Sequence, residues 1–441
     1  MNILLASTPA TGHLNPLLAI GRILLAEGHE VVVLSGSSFR KRIEGIGAGF
    51  RAFPAEIDVN DILLLAPEIK DIPPGREWLR FAMERFFVDT IPAQYEGIRR
   101  VLRDFPADVI IGDDMIFGVL PMLLGPRSER PPIILCGTSI LHTRRDDGAP
   151  TFLGLPPATT QTQREEYAVI AQEHERAVDQ PVGHHLDRVL EKLGIGPLSM
   201  TLFDSAVELP DAYLQLSVPG FEFPRSVPTR ARFIGAMPII PGQAPVPNWA
   251  QELDTGRKVV LVTQGTVANH NFGLLVEPTL AALANEPDVL VVVTTGGRPI
   301  DSISGPIPGN ARIASYLPFE WVLPKIDVLV TNGGYGSVNQ ALSYGIPLVT
   351  AGQTEDKADV NTRVGWSGVG INLATNNPAP QALREAVRAV LDRPDYRSRA
   401  GMIAAEFGAI DTRAEILRIV RQVVSGSAAV GLRQTESMAA K

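Results

Sequence analysis

The order of apolar and polar segments predicts that the chain begins as a parallel α/β sheet. Residues 2–7 form a short apolar run, followed by a loop over 8–16, a helical pattern over 17–26 and a second apolar run over 30–34. This strand, loop, helix and strand series is typical of a doubly wound, Rossmann-like unit. Two further buried strands are predicted over residues 108–112 and 132–136.

A proline-rich break divides the chain into two such units. Four prolines fall within residues 237–247, where the hydrophobic periodicity is lost, as is typical of a linker. Beyond it the α/β pattern restarts, with apolar runs over residues 258–263 and 289–294 on either side of a helical pattern. Because ligands of open parallel sheets bind at the carboxyl ends of the strands, the two units are expected to face a shared cleft.

The predicted organisation has five parts. They are an N-terminal Rossmann-like domain over 1–235, a linker over 236–250, a C-terminal Rossmann-like domain over 251–410, a helix over 411–425 that packs back on the first domain, and a disordered tail over 426–441. Two long segments, 58–103 and 143–200, interrupt the first domain. The first is helical but irregular, and residues 159–193 of the second are charged and helix-like. Long excursions of this kind usually cover a pocket, so both are expected to shape a ligand site.

Composition removes several classes of function. The 441 residues carry a net charge of -8, which argues against a nucleic-acid partner because such a partner needs a basic face. The single cysteine, Cys136, excludes a disulfide framework. No apolar run approaches the roughly 20 residues of a membrane span, so stable membrane insertion is not expected. The N-terminus lacks a basic segment and resembles a first strand, which predicts a cytoplasmic protein.

A glycine-rich turn is the most informative local signal. The apolar run over residues 327–331 stops at Asn332-Gly333-Gly334-Tyr335-Gly336-Ser337, and a helical pattern follows from about Val338. Glycine amides and a helix N-terminus together favour an anion, with a nucleoside diphosphate as the natural ligand. An unliganded β–α turn is the alternative, and the dinucleotide pattern lacks its third glycine here.

An ordered series of motifs resembles the family 1, UDP-glycosyltransferase-like glycosyltransferases of GT-B fold, of the bacterial macrolide and natural-product type. The resemblance covers Met1 to about Val424. Its motifs are Gly12-His13-Leu14-Asn15-Pro16, Gly265-Thr266, Ser315-Tyr316-Leu317-Pro318, the glycine turn with Thr331, Gly345-Ile346-Pro347, and Glu355-Asp356-Lys357 with Asn361. Single glycine motifs are weak, but the series at family-like spacings is specific.

The resemblance implies that the second domain binds a UDP- or TDP-sugar and that the first binds an acceptor. The implied donor-binding residues are Gly12, Gly265, Thr266, Tyr316, Leu317, Asn332, Gly333, Gly334, Gly336, Ser337, Gln340, Glu355, Asp356 and Lys357. Several depart from the family pattern. Tyr316 stands for a stacking tryptophan, Asn332 for a phosphate-binding histidine and Gln340 for a ribose-binding glutamate, so charge is lost at two positions.

Glycosyl transfer to a hydroxyl needs a base, and His13 is the candidate because it follows the first strand and because an imidazole titrates near neutral pH. Its alternative is a structural histidine in a loop. Asp113 and Asp114 follow a neighbouring strand, and one of them is expected to orient His13. Asp113 is preferred, with Asp114 then capping a helix.

The predicted reaction is an inverting, metal-independent transfer without a cofactor, most simply from UDP-glucose. The donor domain has no paired carboxylates of the DxD type at a strand end. The apolar, proline-broken segments 57–103 and 152–200 indicate an apolar or aromatic small-molecule acceptor. Three alternatives stay open: a GT-B nucleotide-sugar epimerase, a Rossmann dehydrogenase and a non-catalytic sugar-nucleotide-binding protein. The missing third glycine argues against the dehydrogenase.

Overall fold

The computed structural model describes residues 1–59, 62–73, 75–239, 245–266 and 269–439, without the side chains of residues 62, 63 and 427–439. Part of the predicted linker, residues 240–244, lies outside this range, as do residues 267 and 268 after the Gly265-Thr266 motif. The described residues form two parallel sheets, which confirms the α/β, GT-B type of architecture.

The first sheet has seven parallel strands in the order β3-β2-β1-β4-β5-β6-β7. They are β1 (Asn2–Ala6), β2 (Glu30–Ser35), β3 (Gly49–Ala52), β4 (Val109–Asp113), β5 (Ile133–Gly137), β6 (Ala212–Gln215) and β7 (Ala231–Phe233). Every residue of β4 and β5 is buried. Strands covered on both faces are read from sequence as continuous apolar runs, which is why these two were predictable.

In the part of the chain that the structure describes, eight α-helices accompany this sheet. They are α1 (Thr11–Ala26), α2 (Arg40–Glu44), α3 (Arg76–Ala82), α4 (Ile91–Asp104), α5 (Leu120–Leu124), α6 (Gln161–His174), α7 (Gln180–Lys192) and α8 (Leu202–Glu208). Helix α3 continues into a π-helical segment over Met83–Val88, and a second one over Glu175–Asp179 joins α6 to α7. These helices occupy much of the two long segments that interrupt the first domain.

The second sheet has six parallel strands in the order β10-β9-β8-β11-β12-β13. They are β8 (Lys258–Thr263), β9 (Val289–Thr294), β10 (Ala311–Ala314), β11 (Val328–Thr331), β12 (Leu348–Thr350) and β13 (Gly370–Asn372). The helices of this half and of the C-terminus are α9 (Val276–Leu283), α10 (Phe319–Val322), α11 (Tyr335–Ser343), α12 (Lys357–Trp366), α13 (Pro380–Asp392), α14 (Pro394–Gly408) and α15 (Thr412–Ala439).

Strand order fixes the place of the site. In the first sheet the order reverses between β1 and β4, and in the second between β8 and β11. Ligands of doubly wound sheets bind at this reversal, beyond the carboxyl ends of the strands. The residues after β1 and β4 therefore become neighbours, as do the residues after β8 and β11.

Three helix boundaries differ from the sequence prediction. Helix α1 begins at Thr11, within the predicted loop, and contains Pro16. Helix α11 begins at Tyr335 and not near Val338. The last helix continues to Ala439, where a disordered tail was predicted from residue 426. Ten of the sixteen residues of that tail are good helix formers (four Ala and one each of Leu, Arg, Gln, Glu, Met and Lys), and a composition-based prediction gave them too little weight.

Helix α15 packs back on the first domain. Its buried apolar residues Ile416, Leu417, Ile419 and Val420 join the core that contains α1 and β1. Arg413 adds an ion pair to Glu27 with an N–O distance of 2.5 Å.

None of the helices in the described part of the chain is long and apolar enough to span a bilayer.

Several polar contacts between the two domains are buried. The Gln215 side-chain amide donates to the Tyr335 hydroxyl at 2.7 Å, and the Ser217 hydroxyl donates to Asn339 Oδ1 at 2.6 Å. Arg363 of α12 forms an ion pair with Glu222 at 2.5 Å, with side chains 2% and 6% exposed. Breaking a pair this buried leaves an uncompensated charge, so it holds the two domains in one relative position.

Candidate active site

His13 lies in the first turn of α1, beyond the end of β1. Its Nδ1 is 3.1 Å from Asp113 Oδ1 and 3.0 Å from the Thr138 hydroxyl oxygen. A carboxylate only accepts, so Nδ1 carries the hydrogen and donates. The His13 side chain is 25% exposed. Within the residues that the structure describes, no hydrogen-bond partner contacts Nε2. That nitrogen is therefore available to a ligand in the cleft.

Asp113 is fully buried at the end of β4, where it accepts hydrogen bonds from two loops. Thr8 donates its amide at 2.6 Å to Oδ2 and its hydroxyl at 2.9 Å to Oδ1, and the Met115 amide donates at 3.0 Å. These contacts hold the carboxylate in one orientation toward His13. It is thus Asp113, and not Asp114, that caps the turn at Met115.

Asp114 is connected to His13 indirectly, through the hydroxyl of Thr138. The Thr138 hydroxyl and amide donate to Asp114 Oδ1 at 2.8 and 3.2 Å, and the Tyr213 hydroxyl donates to Oδ2 at 3.2 Å. Because the Thr138 hydroxyl oxygen also lies beside His13 Nδ1, a relay joins Asp114 to the imidazole. Thr138 had no distinguishing signal in the sequence, since a threonine after a strand is common.

The two carboxylates determine how His13 titrates. Burial acts to lower the pKa of His13, but the charge and hydrogen bond of Asp113, with Asp114 and Asp356 further away, outweigh it and raise the pKa above 6.5. Burial raises the pKa of Asp114 to about 6, against the opposing effect of His13. Perturbed groups of opposite charge at a sheet edge are typical of acid–base sites.

His13, Asp113 and Asp114 also qualify as a group that could hold a metal, because their ligand atoms lie within 4.8 Å of one another. However, protein donors already occupy the oxygens of both carboxylates. The donor set therefore favours hydrogen bonding over coordination of a cation.

On the opposite side, the glycine turn after β11 presents backbone groups. Gly334 precedes α11 with an extended backbone, and the first helical hydrogen bond runs from the Val338 amide to the Gly334 carbonyl at 3.0 Å. The amides of Tyr335, Gly336 and Ser337 come before that bond, so they are the orphan donors of the helix. These amides lie where the sequence analysis predicts an anion site.

Asn332 and Gly333, the first two residues of the glycine turn, are both in close contact with other residues of the protein. Asn332 donates through Nδ2 to the Gln264 carbonyl at 2.9 Å, which links the ends of β8 and β11. Asn332 has an ordinary negative φ. Gly333 has a positive φ of 98°, and a Cβ there would lie 1.9 Å from Asn361 Oδ1.

The remaining donor-binding candidates gather at the same edge. Tyr316 follows β10, is 55% exposed and lies over Gly297, where a Cβ would come 2.3 Å from its hydroxyl. Gly265 has φ 71° and Thr266 is exposed after β8. Leu317 differs, because its side chain is buried in the domain core and only its backbone is left for a ligand. Ser337 and Gln340 of α11 are partly buried, whereas Gly12 is exposed in the first turn of α1, at the edge of the first sheet.

The Glu355-Asp356-Lys357 motif lies at the start of α12. Asp356 accepts a hydrogen bond from Ser139, which follows β5 of the first domain, so the motif closes the cleft beside His13. Lys357 is buried and paired with Glu355, and burial lowers its pKa to about 8. Helix α12 itself was not predicted.

Comparisons with known proteins identify the family. Residues 278–423 match the family model described as the erythromycin biosynthesis protein CIII-like C-terminal domain. The chain is 37% identical over 442 residues to 4'-demethylrebeccamycin synthase of Lentzea aerocolonigenes, covering 96% of this chain and 99% of that protein. It is 37% identical over 430 residues to UDP-glycosyltransferase 2 of Phaeomoniella chlamydospora, covering 93% of each.

A solved structure shows the same fold. The calicheamicin glycosyltransferase CalG4 superimposes with a TM-score of 0.72 at 20% identity, over 96% of this chain and 98% of that one. The two full-length relatives establish more than the fold, because their identity extends over nearly the whole chain. The protein therefore belongs to the GT-B, family 1 glycosyltransferases and is a sugar-nucleotide-dependent glycosyltransferase.

Proposed function

We propose that the protein transfers glucose from UDP-glucose, with inversion and without a metal ion, to a hydroxyl of an apolar or aromatic natural product. The observation that carries this proposal is the His13–Asp113 contact at 3.1 Å, opposite the helix N-terminus of the glycine turn. The His13–Asp113 pair supplies a base on one side of the cleft, and the helix N-terminus supplies a diphosphate site on the other.

The proposed step is a single displacement. His13 Nε2 takes the proton of the acceptor hydroxyl as its oxygen bonds to the anomeric carbon. The bond from that carbon to the diphosphate breaks on the opposite face, and nucleoside diphosphate leaves toward the amides of α11. Asp113 fixes the tautomer and stabilises the imidazolium, without itself taking the proton. Preorganised amides stabilise the leaving charge at no cost of reorganisation.

Residues near the sugar favour a hydroxylated hexose over a deoxysugar. Asp356, at the start of α12, accepts from Ser139 through Oδ2 and offers its other carboxylate oxygen to a sugar hydroxyl. A deoxygenated position leaves that oxygen without a donor, which binding sites penalise strongly. The name of the Phaeomoniella relative supports UDP as the nucleotide, and the name of the Lentzea relative supports a natural-product acceptor.

A donor panel tests the proposal. UDP-glucose, UDP-galactose, TDP-glucose and TDP-rhamnose are each incubated with a mixture of phenolic acceptors, with and without EDTA, and products are read by mass spectrometry. NMR then gives the anomeric configuration. A β-glucoside formed from UDP-glucose in the presence of EDTA is the expected result. An α-glucoside contradicts inversion, and loss of activity that Mg²⁺ or Mn²⁺ restores contradicts metal independence.

The same panel separates the other candidate functions. An epimerase would convert the sugar nucleotide without any acceptor. A non-catalytic binding protein would bind UDP-sugar in a calorimetric titration and release no product. The paired His13 and Asp113 favour transfer over both.

A further inference from the structure

A buried glutamine at the interface between the two domains joins one residue of each domain. Gln215 is the last residue of β6 and is fully buried. Its side-chain Nε2 donates to the Ser139 carbonyl and to the Tyr335 hydroxyl, both at 2.7 Å. Because the Ser139 carbonyl can only accept, this end of the amide must be the nitrogen. Both hydrogens of the amide are therefore used, one toward each domain.

The same side chain leaves its oxygen unsatisfied. Within the residues that the structure describes, Gln215 Oε1 is buried and has no hydrogen-bond partner. Buried polar atoms are nearly always paired, and departures from such rules are expected at functional sites. An apolar side chain would fill the same space without an unpaired oxygen, so the two contacts of Nε2 call for a functional explanation.

On the acceptor side, Gln215 holds the segment that contacts the proposed base. Thr138 and Ser139 follow β5 and belong to no helix or strand. The Thr138 hydroxyl oxygen lies 3.0 Å from His13 Nδ1, and the Ser139 hydroxyl donates to Asp356 at the start of α12. One dipeptide therefore contacts both the base and the carboxylate that is proposed to bind the sugar.

On the donor side, Gln215 reaches the helix that is proposed to bind the diphosphate. Tyr335 is the first residue of α11, and its amide is one of the three that have no carbonyl partner in that helix. The Tyr335 side chain is 5% exposed and packs in the core of the donor domain. A residue packed in this way cannot move its hydroxyl independently, so the Gln215 contact is coupled to the position of the Tyr335 amide.

These contacts form one path from the base to the diphosphate site. It runs from His13 through the dipeptide Thr138-Ser139 to Gln215, and from there to Tyr335. The path passes from one domain to the other between Gln215 and Tyr335. This hydrogen bond therefore helps to set the distance between the base and the departing diphosphate.

We propose that Gln215 is a positioning residue for glycosyl transfer, which holds the Thr138-Ser139 segment at a fixed distance from the N-terminus of α11. The inference rests on the proposed function, because it takes His13 as the base and the α11 amides as the diphosphate site. Gln215 contacts the reacting groups only through other residues. It should therefore affect kcat and leave the affinity for either substrate unchanged.

Gln215→Met tests the proposal, because methionine is an unbranched side chain of similar length without hydrogens to donate. With UDP-glucose and the phenolic acceptor that the donor panel selects, kcat should fall about 30- to 100-fold, as a misplacement of about 1 Å does. The UDP Kd by calorimetry and the acceptor KM should stay within twofold. An unchanged kcat overturns the proposal, as does a loss of activity that appears only in Kd or KM.

Tyr335→Phe removes the other end of the same hydrogen bond, and it covers the case in which Gln215→Met does not fold. This variant loses one hydroxyl and keeps the packed ring. It should lower kcat by about the same factor as Gln215→Met, and the double variant should lose no more than either single variant. Losses that multiply in the double variant would show two independent effects and overturn the proposal.

The matched control is Thr362→Val, which also deletes one hydroxyl from the interface. Thr362 of α12 donates to the Gly154 carbonyl of the first domain at 2.8 Å. Among the hydrogen bonds of the described residues, none joins Thr362 to Thr138 or Ser139. Thr362→Val should lower the melting temperature and leave kcat unchanged. An equal loss of kcat in this variant would assign the effect to general loosening of the interface and overturn the specific role of Gln215.

The pH dependence separates positioning from an effect on the base itself. Asp113 keeps its contact with His13 in Gln215→Met, so the acidic limb of the kcat/KM profile should stay where it is. A shift of that limb would show that Gln215 acts on the titration of His13, which contradicts a positioning role.

The inference and the proposed function fail differently. Wild-type kcat in Gln215→Met and Tyr335→Phe, together with a loss of kcat in His13→Ala, overturns the positioning role and leaves the proposed function intact. Full kcat in His13→Ala contradicts the proposed function, and the inference falls with it, because the path from Gln215 then ends at no base.

Discussion

The two sheet edges that border the cleft are built from different kinds of groups. At the first edge, the chemistry belongs to side chains: buried carboxylates hold one imidazole through direct and relayed hydrogen bonds. At the second edge, it belongs to the backbone: a turn with positive φ at Gly333 leads into the N-terminus of α11. The first edge supplies a titrating group, whereas the second supplies amides that do not change charge with pH.

This difference predicts that substitutions act differently at the two edges. At the first edge, removing a side chain should remove the reaction and leave donor binding intact. At the second, removing a side chain should matter little, while adding a Cβ should matter greatly. The predictions below test this contrast, from the largest effect to the smallest.

His13→Ala should lower kcat by a factor of about 10³ or more, because loss of general-base catalysis alone costs about 10²–10⁴. UDP affinity by calorimetry should stay within twofold, since the proposed donor site belongs to the other domain. His29→Ala is the control, because His29 follows α1 at the opposite end of the same sheet. Turnover near that of the wild type in His13→Ala would refute the base assignment.

Asp113→Asn should lower kcat/KM by about 10²-fold and move its pH dependence. The base works unprotonated, so activity falls as pH drops through the pKa of His13, which lies above 6.5 in the native protein. The carboxylate of Asp113 raises that pKa, and its removal should shift the acidic limb of the profile to lower pH. An unchanged limb would show that another group sets it.

Gly333→Ala should weaken UDP binding by about 30-fold, because an L residue at positive φ costs about 1–3 kcal/mol and its Cβ meets Asn361. Gly256→Ala is a matched control, with φ 81° and open space, before β8 and away from the cleft. Because Gly256→Ala also places an L residue at positive φ, it should lower the melting temperature, and it should leave UDP affinity unchanged. Equal UDP affinity in the two variants would separate the turn from donor binding.

Asn332→Ala should raise the UDP Kd only about 3-fold, by the loss of roughly one neutral hydrogen bond within the protein. The amide is already committed to the Gln264 carbonyl, so it acts on the turn more than on phosphate. Isothermal titration decides. A rise of about 10-fold or more would instead make Asn332 a direct phosphate ligand, since hydrogen bonds to charged groups are worth about 1.5–3 kcal/mol.

The sequence predicted most where a pattern has one structural outcome. Strands β8 and β9 fall at their predicted limits, because their apolar runs are buried on both faces. The approach of His13 and Asp113 followed from their places after strands that turned out to be neighbours. The start of α1 was missed because Gly12 and Pro16 are typical of loops, although tertiary packing tolerates both in this helix.

Other features had no sequence signal. Helix α12 is polar in composition, yet Lys357, Asp359, Asn361 and Arg363 are all buried in it. A helix placed between two domains buries polar groups through long-range pairing, and periodicity does not report such pairing. For the same reason, the role of Thr138 and the hydrogen bond between Asn332 and Gln264 were not predicted from the sequence. Each depends on which loops the fold brings together.

The contacts of α12 limit how this protein can be recombined with its relatives. Arg363 and Glu222 form one buried ion pair, and Asp359 accepts a hydrogen bond from the Phe152 amide, so each contact has one half in either domain. A chimera that joins an acceptor domain from one enzyme to a donor domain from another must bring matching halves of both contacts. The exchangeable module is therefore larger than either Rossmann-like domain, because α12 belongs by its contacts to the acceptor side.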